Sequence, residues 1–165
     1  MEIVPANPDD AKSLTHIAHA AKRHWGYPES WIEAWREQLT ITPEWIVTHE
    51  TWKAVDAGEI VGFVSWVPLG RRVRLEHLWV RPDAMGRGLG RQLFKHACRG
   101  AESAGWLVME ITVDPNAAGF YRRMGAVQVA EERTEDAGVI RVLPIFEYRL
   151  IEAADGPPLR SRTAL

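Results

Sequence analysis

Gly86, Gly88 and Gly90 occupy alternate positions of the stretch RPDAMGRGLGRQLF, between an apolar, strand-like run and a helix-like one. A helix start offers free backbone N–H groups and the positive end of the helix dipole, so a glycine-rich approach to it can cradle an anion, phosphate above all. Glycine suits such a cradle because some of its residues need positive φ, and because a missing Cβ lets the main chain reach phosphate oxygens. A plain flexible turn is the competing reading. A dinucleotide fingerprint begun at Gly86 needs glycine where Arg91 stands, and a Walker loop needs Gly-Lys-Ser/Thr five residues after its first glycine; neither spacing fits.

Other reactive side chains narrow the chemistry. Cys98 falls in the middle of a helix-like run beside inward positions, where a thiol is normally inert. The six histidines form no HExxH pair and no Cys/His cluster of ligand spacing, so no metal site is expected.

The elements that must position these residues follow from periodicity. Leu14, Ile17, Ala18, Ala21 and Trp25 recur at helical spacing, with Asp9 or Asp10 as cap and Gly26 as stop. A second helical pattern carries Trp31, Ile32, Trp35 and Leu39 and ends near Thr42-Pro43, so two helices are expected before any strong strand. From Trp45 the period changes. EWIVTHETWKAV, IVGFVSWVPL and VRLEHLWV, joined by short turns, read as an antiparallel meander of three strands. The glycine loop then opens a helix with Leu89, Leu93, Ala97 and Ala101 inward; Lys95 and Arg99 lie on a face read as solvated. WLVMEITV is a buried strand, AAGFYRRMG a short helix, AVQVAE a strand, RTEDAGVIRVLP a loop and IFEYRLI a last strand.

The chain has 165 residues, enough for one domain with a core that needs no disulfide. No apolar run approaches the roughly 18 to 20 residues of a membrane helix. The start lacks the features of a secretory signal and there is one cysteine, so a reducing cytoplasm is the expected setting. A net charge of −2 gives no basic field for nucleic acid, so any anion site must be local. Residues 1–151 are expected to form one domain and 152–165 a loosely held tail.

LWVRPDAMGRGLGRQLF, followed by EITVDPNAAGFYRRMGA, resembles the GNAT superfamily of acyl-CoA-dependent N-acyltransferases. That family's signature is a strand L-x-V-x-P, a short link, then [QR]-x-x-G-x-[GA] opening a helix. Some 25 residues later come a strand, an asparagine and a short helix carrying a tyrosine. Met85 stands where the family usually has Arg or Gln, and Asn116 precedes Tyr121 by five residues, a shorter spacing than in many members. The resemblance implies an α+β fold in α/β/α layers: a mixed, mostly antiparallel sheet of about seven strands with about four helices.

It further implies acetyl-CoA as co-substrate and a primary amine as acceptor, joined by direct attack in a ternary complex. Met85, Gly86, Arg87, Gly88, Leu89, Gly90 and Arg91 would hold the pyrophosphate, and Leu78, Val80, Asn116 and Phe120 the pantetheine arm. The Leu78 N–H would polarise the thioester carbonyl, and Tyr121 would serve the leaving sulfur as acid. An alkylamine is almost wholly protonated at pH 7, so a base is needed. Family members with a glutamate four residues before the Leu78 position have their base there, but this chain has Arg74. Glu76, of the same strand parity as Leu78, is the first candidate and Glu110 the second; either is equally well read as a strand carboxylate paired to arginine.

The acceptor's expected side maps onto the segment from Trp25 to Trp45, whose tryptophans read either as core or as an aromatic wall for an ammonium. A non-catalytic acyl-CoA-binding sensor or partner-binding module is the competing class, favoured by Met85 and Arg74 and disfavoured by Tyr121. A nucleotide-dependent enzyme is weaker still. Exposed strand edges leave room for a homodimer.

Overall fold

The computed structural model describes residues 1–151, and the expected tail lies outside them. Seven strands form one sheet: β1 (Glu2–Pro5), β2 (Glu50–Asp56), β3 (Glu59–Leu69), β4 (Arg72–Val80), β5 (Val108–Thr112), β6 (Val127–Asp136) and β7 (Val139–Arg149). Their order is β1-β2-β3-β4-β5-β7-β6, and only the β4–β5 pairing is parallel. Five helices flank the sheet: α1 (Ala11–His24), α2 (Glu29–Ala34), α3 (Pro43–Thr48), α4 (Leu89–Ser103) and α5 (Ala118–Arg123).

Alternation along the central strands separates two cores. Val64, Trp66, Leu75 and Met109 pack with Leu93, Phe94 and Tyr121 of α4 and α5. Phe63 turns to the other face and meets Leu14, Ile17 and Ile32 of α1 and α2. Burying a side chain of this size contributes roughly 1.5–3 kcal/mol, so each helix is held mainly by its apolar stripe. Ahead of α1, the Asn7 N–H donates to Asp10 Oδ2 (2.8 Å) and Asp9 N–H donates to the Asn7 side chain (3.2 Å), fixing the entry.

The layered α+β architecture and the three-strand meander agree with the sequence; four details differ. A four-residue edge strand, β1, precedes the helices, too short for any alternation to reveal it. Trp45 lies in a helix rather than a strand: Pro43 fills the first helical position and Thr42 Oγ1 accepts the Trp45 N–H (3.1 Å), so capping chemistry overrides the β-branched run. This helix accounts for five helices instead of four. RTEDAGVIRVLP is strand, turn and strand, since Ala137 and Gly138 adopt positive φ and close a two-residue hairpin.

The fourth difference bears on the site. Ser65 pairs with His77 but Trp66 pairs with Leu75, so Glu76 is an extra residue in β4, a bulge. The parity argument linking Glu76 to Leu78 therefore fails. Leu78 packs with the α4-side core, whereas Glu76 is exposed and lies toward Arg74.

Candidate active site

β4 and β5 pair at only two positions, Val73↔Met109 and Arg74↔Glu110, and then part. The split opens a cavity of about 820 Å³, bounded by the end of β4, the glycine loop and the segment leading into α5. The Arg81 N–H donates to Val61 O of β3 (2.8 Å). Strand alternation then turns the N–H groups of Val80 and Leu78 the other way, toward the open split. Leu78, Val80, Met85, Gly86, Gly88, Leu89, Gly90, Arg91, Asn116, Phe120 and Tyr121 all line this one cavity; Arg87 does not.

The glycine loop has the conformation its composition suggests. Gly86 and Gly88 both have φ of 78°, and Gly88 is the cap of α4. The N–H groups of Gly86, Arg87 and Gly88 meet no carbonyl of the described residues, so this helix start presents free donors. Gly90 faces the Phe120 ring, where a Cβ would come into van der Waals contact at 3.4 Å. Bracing comes from elsewhere than position 85. Arg81 pairs with Asp83 (2.6 Å) and Glu59 (2.9 Å), Arg87 Nη2 donates to Asp83 O (3.1 Å), and Met85 packs against the core. The Arg87 guanidinium is thus engaged with the loop itself, while Arg91, Lys95 and Arg123 supply positive charge at the cavity. Lys95, read from sequence as part of a solvated face, is a lining residue; Arg99 is not.

Tyr121 is 7% exposed, its ring edge-on to Phe94 and Phe120. Burial, with a smaller contribution from Cys98, raises its hydroxyl well above the usual range. The group is a neutral hydrogen-bond donor, and full proton transfer to a thiolate, whose conjugate acid lies near 8.5, would be strongly uphill. Burial also pushes the Cys98 thiol up to about 12, which leaves it unreactive.

Glu76 lines the cavity; Glu110 does not. Arg74 sits between them, Nη1 3.8 Å from Glu76 Oε2 and Nε 3.9 Å from Glu110 Oε2. Both carboxylates are thus arginine-paired strand groups as well as candidate bases.

Sequence reasoning missed a charged cluster on the opposite wall. Lys22 Nζ donates to Asp114 Oδ2 (2.6 Å), Tyr27 Oη donates to Asp114 Oδ1 (2.9 Å), and Arg141 Nη2 donates to Tyr27 Oη (2.7 Å) and Asp114 Oδ2 (3.3 Å). Asn116 joins it, with its amide nitrogen 3.0 Å from Tyr27 Oη and its N–H on Asp114 Oδ1. Burial acts to raise the Asp114 carboxyl, but Lys22 and the surrounding donors outweigh it and hold the group down at about 2. Burial pulls Lys22 below its usual range despite Asp114, and burial and Asp114 push Tyr27 up to about 12.

The tryptophan segment divides on this cluster. Trp35 is buried, with Lys22 Nζ 4.6 Å and the Arg141 guanidinium 4.7 Å from its ring, so its cation–π partners are internal. Trp31 stacks on Tyr27, and Trp45 donates to Ser65 Oγ (2.9 Å). Of the four tryptophans from Trp25 to Trp45 only Trp25 lines the cavity, where Trp79 joins it. The described residues contain no helix long and apolar enough to cross a membrane and no group of three metal-ligating side chains.

Comparison with known proteins agrees with this geometry. The family model of the Acetyltransferase (GNAT) domain matches residues 47–125. Streptothricin acetyltransferase of Streptomyces lavendulae is 41% identical over 81 residues, 46% of this chain and 43% of that protein. The chain thus spans less than half the length of that curated relative. A GCN5-related N-acetyltransferase from Rhodopseudomonas palustris superposes with a TM-score of 0.77 at 24% identity, over 90% of this chain and 94% of that one. The PaiA N-acetyltransferase of Thermoplasma acidophilum, solved in complex with coenzyme A, gives 0.74 at 21% identity, over 90% and 98%. Both share the fold.

Proposed function

We propose that the chain is an acetyltransferase of the GNAT superfamily, whose domain model it matches over residues 47–125, and that it transfers an acetyl group from acetyl-CoA to a primary amine by direct attack in a ternary complex. The observation that carries this reading is the row of free N–H groups ahead of α4, in which Gly86 and Gly88 line the same cavity as the unpaired end of β4 and Tyr121. Pyrophosphate oxygens accept from that row and from the first turn at Leu89, Gly90 and Arg91, each charge-assisted bond contributing about 1.5–3 kcal/mol. Arg91, Lys95 and Arg123 add local positive charge to a chain whose net charge is −2. The pantetheine arm lies along the freed edge at Leu78 and Val80, with Asn116 and Phe120 opposite.

In the reaction the amine lone pair forms the C–N bond, and the carbonyl oxygen, now negative, accepts from the Leu78 N–H. That lone pair is freed when the acceptor's ammonium gives one proton to the Glu76 carboxylate, through water, and the second proton leaves the nitrogen for solvent after attack. The C–S bond breaks as the carbonyl reforms, and Tyr121 Oη donates a hydrogen bond to the departing sulfur while keeping its own proton. CoA leaves as thiolate and is protonated from solvent. Tyr121 thus lowers the barrier by stabilising charge on sulfur rather than by delivering a proton, the role its raised hydroxyl suits.

We assign residues 1–151 to one catalytic domain. The lone cysteine suits a cytoplasmic setting, and the open β6 edge, where Val127 and Val129 are exposed, is the place for a second copy. Acetyl-CoA at about 100 times its dissociation constant should stabilise the fold by roughly 2.7 kcal/mol, and an amine panel read by thiol release should then show turnover. Stabilisation without turnover of any amine would leave an acyl-CoA-binding module; absence of stabilisation would end both readings.

A further inference from the structure

Resting on that function, we propose that Arg74 makes the enzyme selective for acceptors in which the amine is accompanied by a carboxylate a few atoms away, the zwitterionic pattern of an amino acid. The α1-side face of β4 and β5 carries Arg72, Arg74, Glu76, Glu110 and, from β7, Glu147, next to the cavity that Glu76 lines. Arg72 is taken up by Glu147 and lies 3.7 Å from Glu110. What remains is one guanidinium between two carboxylates. Arg74 approaches both only at 3.8 and 3.9 Å, outside hydrogen-bond range, and makes no hydrogen bond to any described residue. Its Nε is the one buried side-chain nitrogen or oxygen among the described residues that lacks a partner.

A covered guanidinium nitrogen without an acceptor is unusual, because a folded chain normally gives such a group a partner. The Nη end is the exposed part: the side chain retains 36% of its exposure although Nε is covered. A planar acceptor placed there receives two parallel bonds, the geometry a carboxylate offers and a neutral amine does not. The two glutamates supply the complementary half. With Arg74 neutralised by the incoming carboxylate, Glu76 and Glu110 are left to attract the acceptor's ammonium, and Glu76 is the group that borders the cavity. The arrangement orients the acceptor, with its carboxylate outward on Arg74 and its nitrogen inward at Glu76. An acceptor lacking the carboxylate would leave the arginine unfilled.

The experiment uses the full chain with acetyl-CoA and a panel of matched acceptors: amino acids with small, apolar, basic and acidic side chains, each beside its amide, its methyl ester and its decarboxylated amine. Thiol release gives kcat and KM, and calorimetry of each acceptor with the CoA-bound protein gives affinity without chemistry. At least one free acid is expected to exceed its own amide and decarboxylated amine about 10- to 100-fold in kcat/KM and in affinity. Arg74→Gln should abolish that preference by raising KM for the acid about as much while leaving KM for the amide unchanged, and Arg74→Lys should recover only part of it. Thermal stabilisation by acetyl-CoA is monitored in all variants; its loss would overturn the acetyltransfer reading itself. If it persists while carboxylate-free amines are used equally well, or while no carboxylate-bearing amine is bound or turned over, or while R74Q keeps the preference, the role of Arg74 is overturned and the acetyltransfer reading stands.

Discussion

Lys22 Nζ lies 2.6 Å from Asp114 Oδ2, tying the end of α1 to the turn that leads from β5 into α5 and so to Tyr121. Both side chains are largely buried, and Asp114 also caps the turn by accepting the Asn116 N–H (2.9 Å). Asp114→Asn would leave Lys22 charged in a buried site with no counter-ion, and is expected to cost about 3 kcal/mol at neutral pH. The pH dependence has a definite sign. The folded carboxyl is depressed from 3.8 to about 2, so its contribution is complete above the unfolded value and is lost as pH falls through about 2. Urea unfolding midpoints between pH 5 and 2 should fall more steeply for the natural protein than for D114N, by an amount on the order of 2 kcal/mol across that window. Parallel curves would show that Asp114 is not depressed.

His77 acts in a different window. It is buried between Trp45 and Phe63, with Nδ1 3.2 Å from the Trp79 indole nitrogen, and burial lowers it from 6.5 to about 4. A base whose folded value is depressed stabilises fully above its unfolded value and loses that contribution as pH falls through its folded value. Stability should therefore decline between about pH 6.5 and 4 by roughly 3 kcal/mol, before Asp114 begins to titrate. His77→Gln removes the titrating ring, and its stability should fall less steeply than the natural protein's in that interval, His19 and His96 keeping their smaller share of the slope. A slope equal to that of the natural protein would place the titration elsewhere.

The glycine loop can be tested through strain rather than contact. A Cβ at Gly88 would meet nothing within 4 Å, yet its φ of 78° lies in the left-handed region, where alanine costs roughly 1–2 kcal/mol. Gly105, after the end of α4, also has positive φ (90°) and open space around it but does not line the cavity. Gly88→Ala and Gly105→Ala should lower stability by similar amounts, while only G88A raises KM for acetyl-CoA, by about 10-fold. Equal KM values in the two variants would remove the loop's role as a cradle.

The legible parts of this protein are those whose signal is local. Alternation in IVGFVSWVPL and VRLEHLWV gives β3 and β4, and the glycines ahead of Leu89 give the start of α4. α3 was hidden because Ile46, Val47 and Thr48 favour strand, and one cap, Thr42 on the Trp45 N–H, decides otherwise. The Glu76 bulge was hidden because alternation assumes one residue per pleat, and nothing in LEHLW marks where that assumption fails. The Asp114 cluster is the most distant from sequence reading. Lys22 and Tyr27 stand 92 and 87 positions from Asp114, and only the packing of α1 on the face of the sheet that contains β7 brings them together. The choice between core and aromatic wall is settled for Trp35 by the same packing: it is core, and the cations facing it belong to the chain and not to a ligand.

Tyr121 offers the sharpest test of the chemistry, because its ring and its hydroxyl do separable things. The ring packs 5.8 Å from Phe94 and 5.0 Å from Phe120, and phenylalanine preserves both contacts. Tyr121→Phe should therefore unfold within about 1 kcal/mol of the natural protein and bind acetyl-CoA with nearly unchanged affinity. The hydroxyl matters only when negative charge develops on the sulfur, so its loss should lower kcat about 100-fold and leave KM for acetyl-CoA within a few-fold. Its weakened acidity sharpens the expectation further. The group stays protonated throughout pH 6 to 9, so the pH profile of Y121F should be displaced downward with its shape unchanged, whereas a titrating acid would take a limb of the profile with it. An unchanged kcat would remove Tyr121 from the mechanism; a lost alkaline limb would mean that it transfers its proton after all.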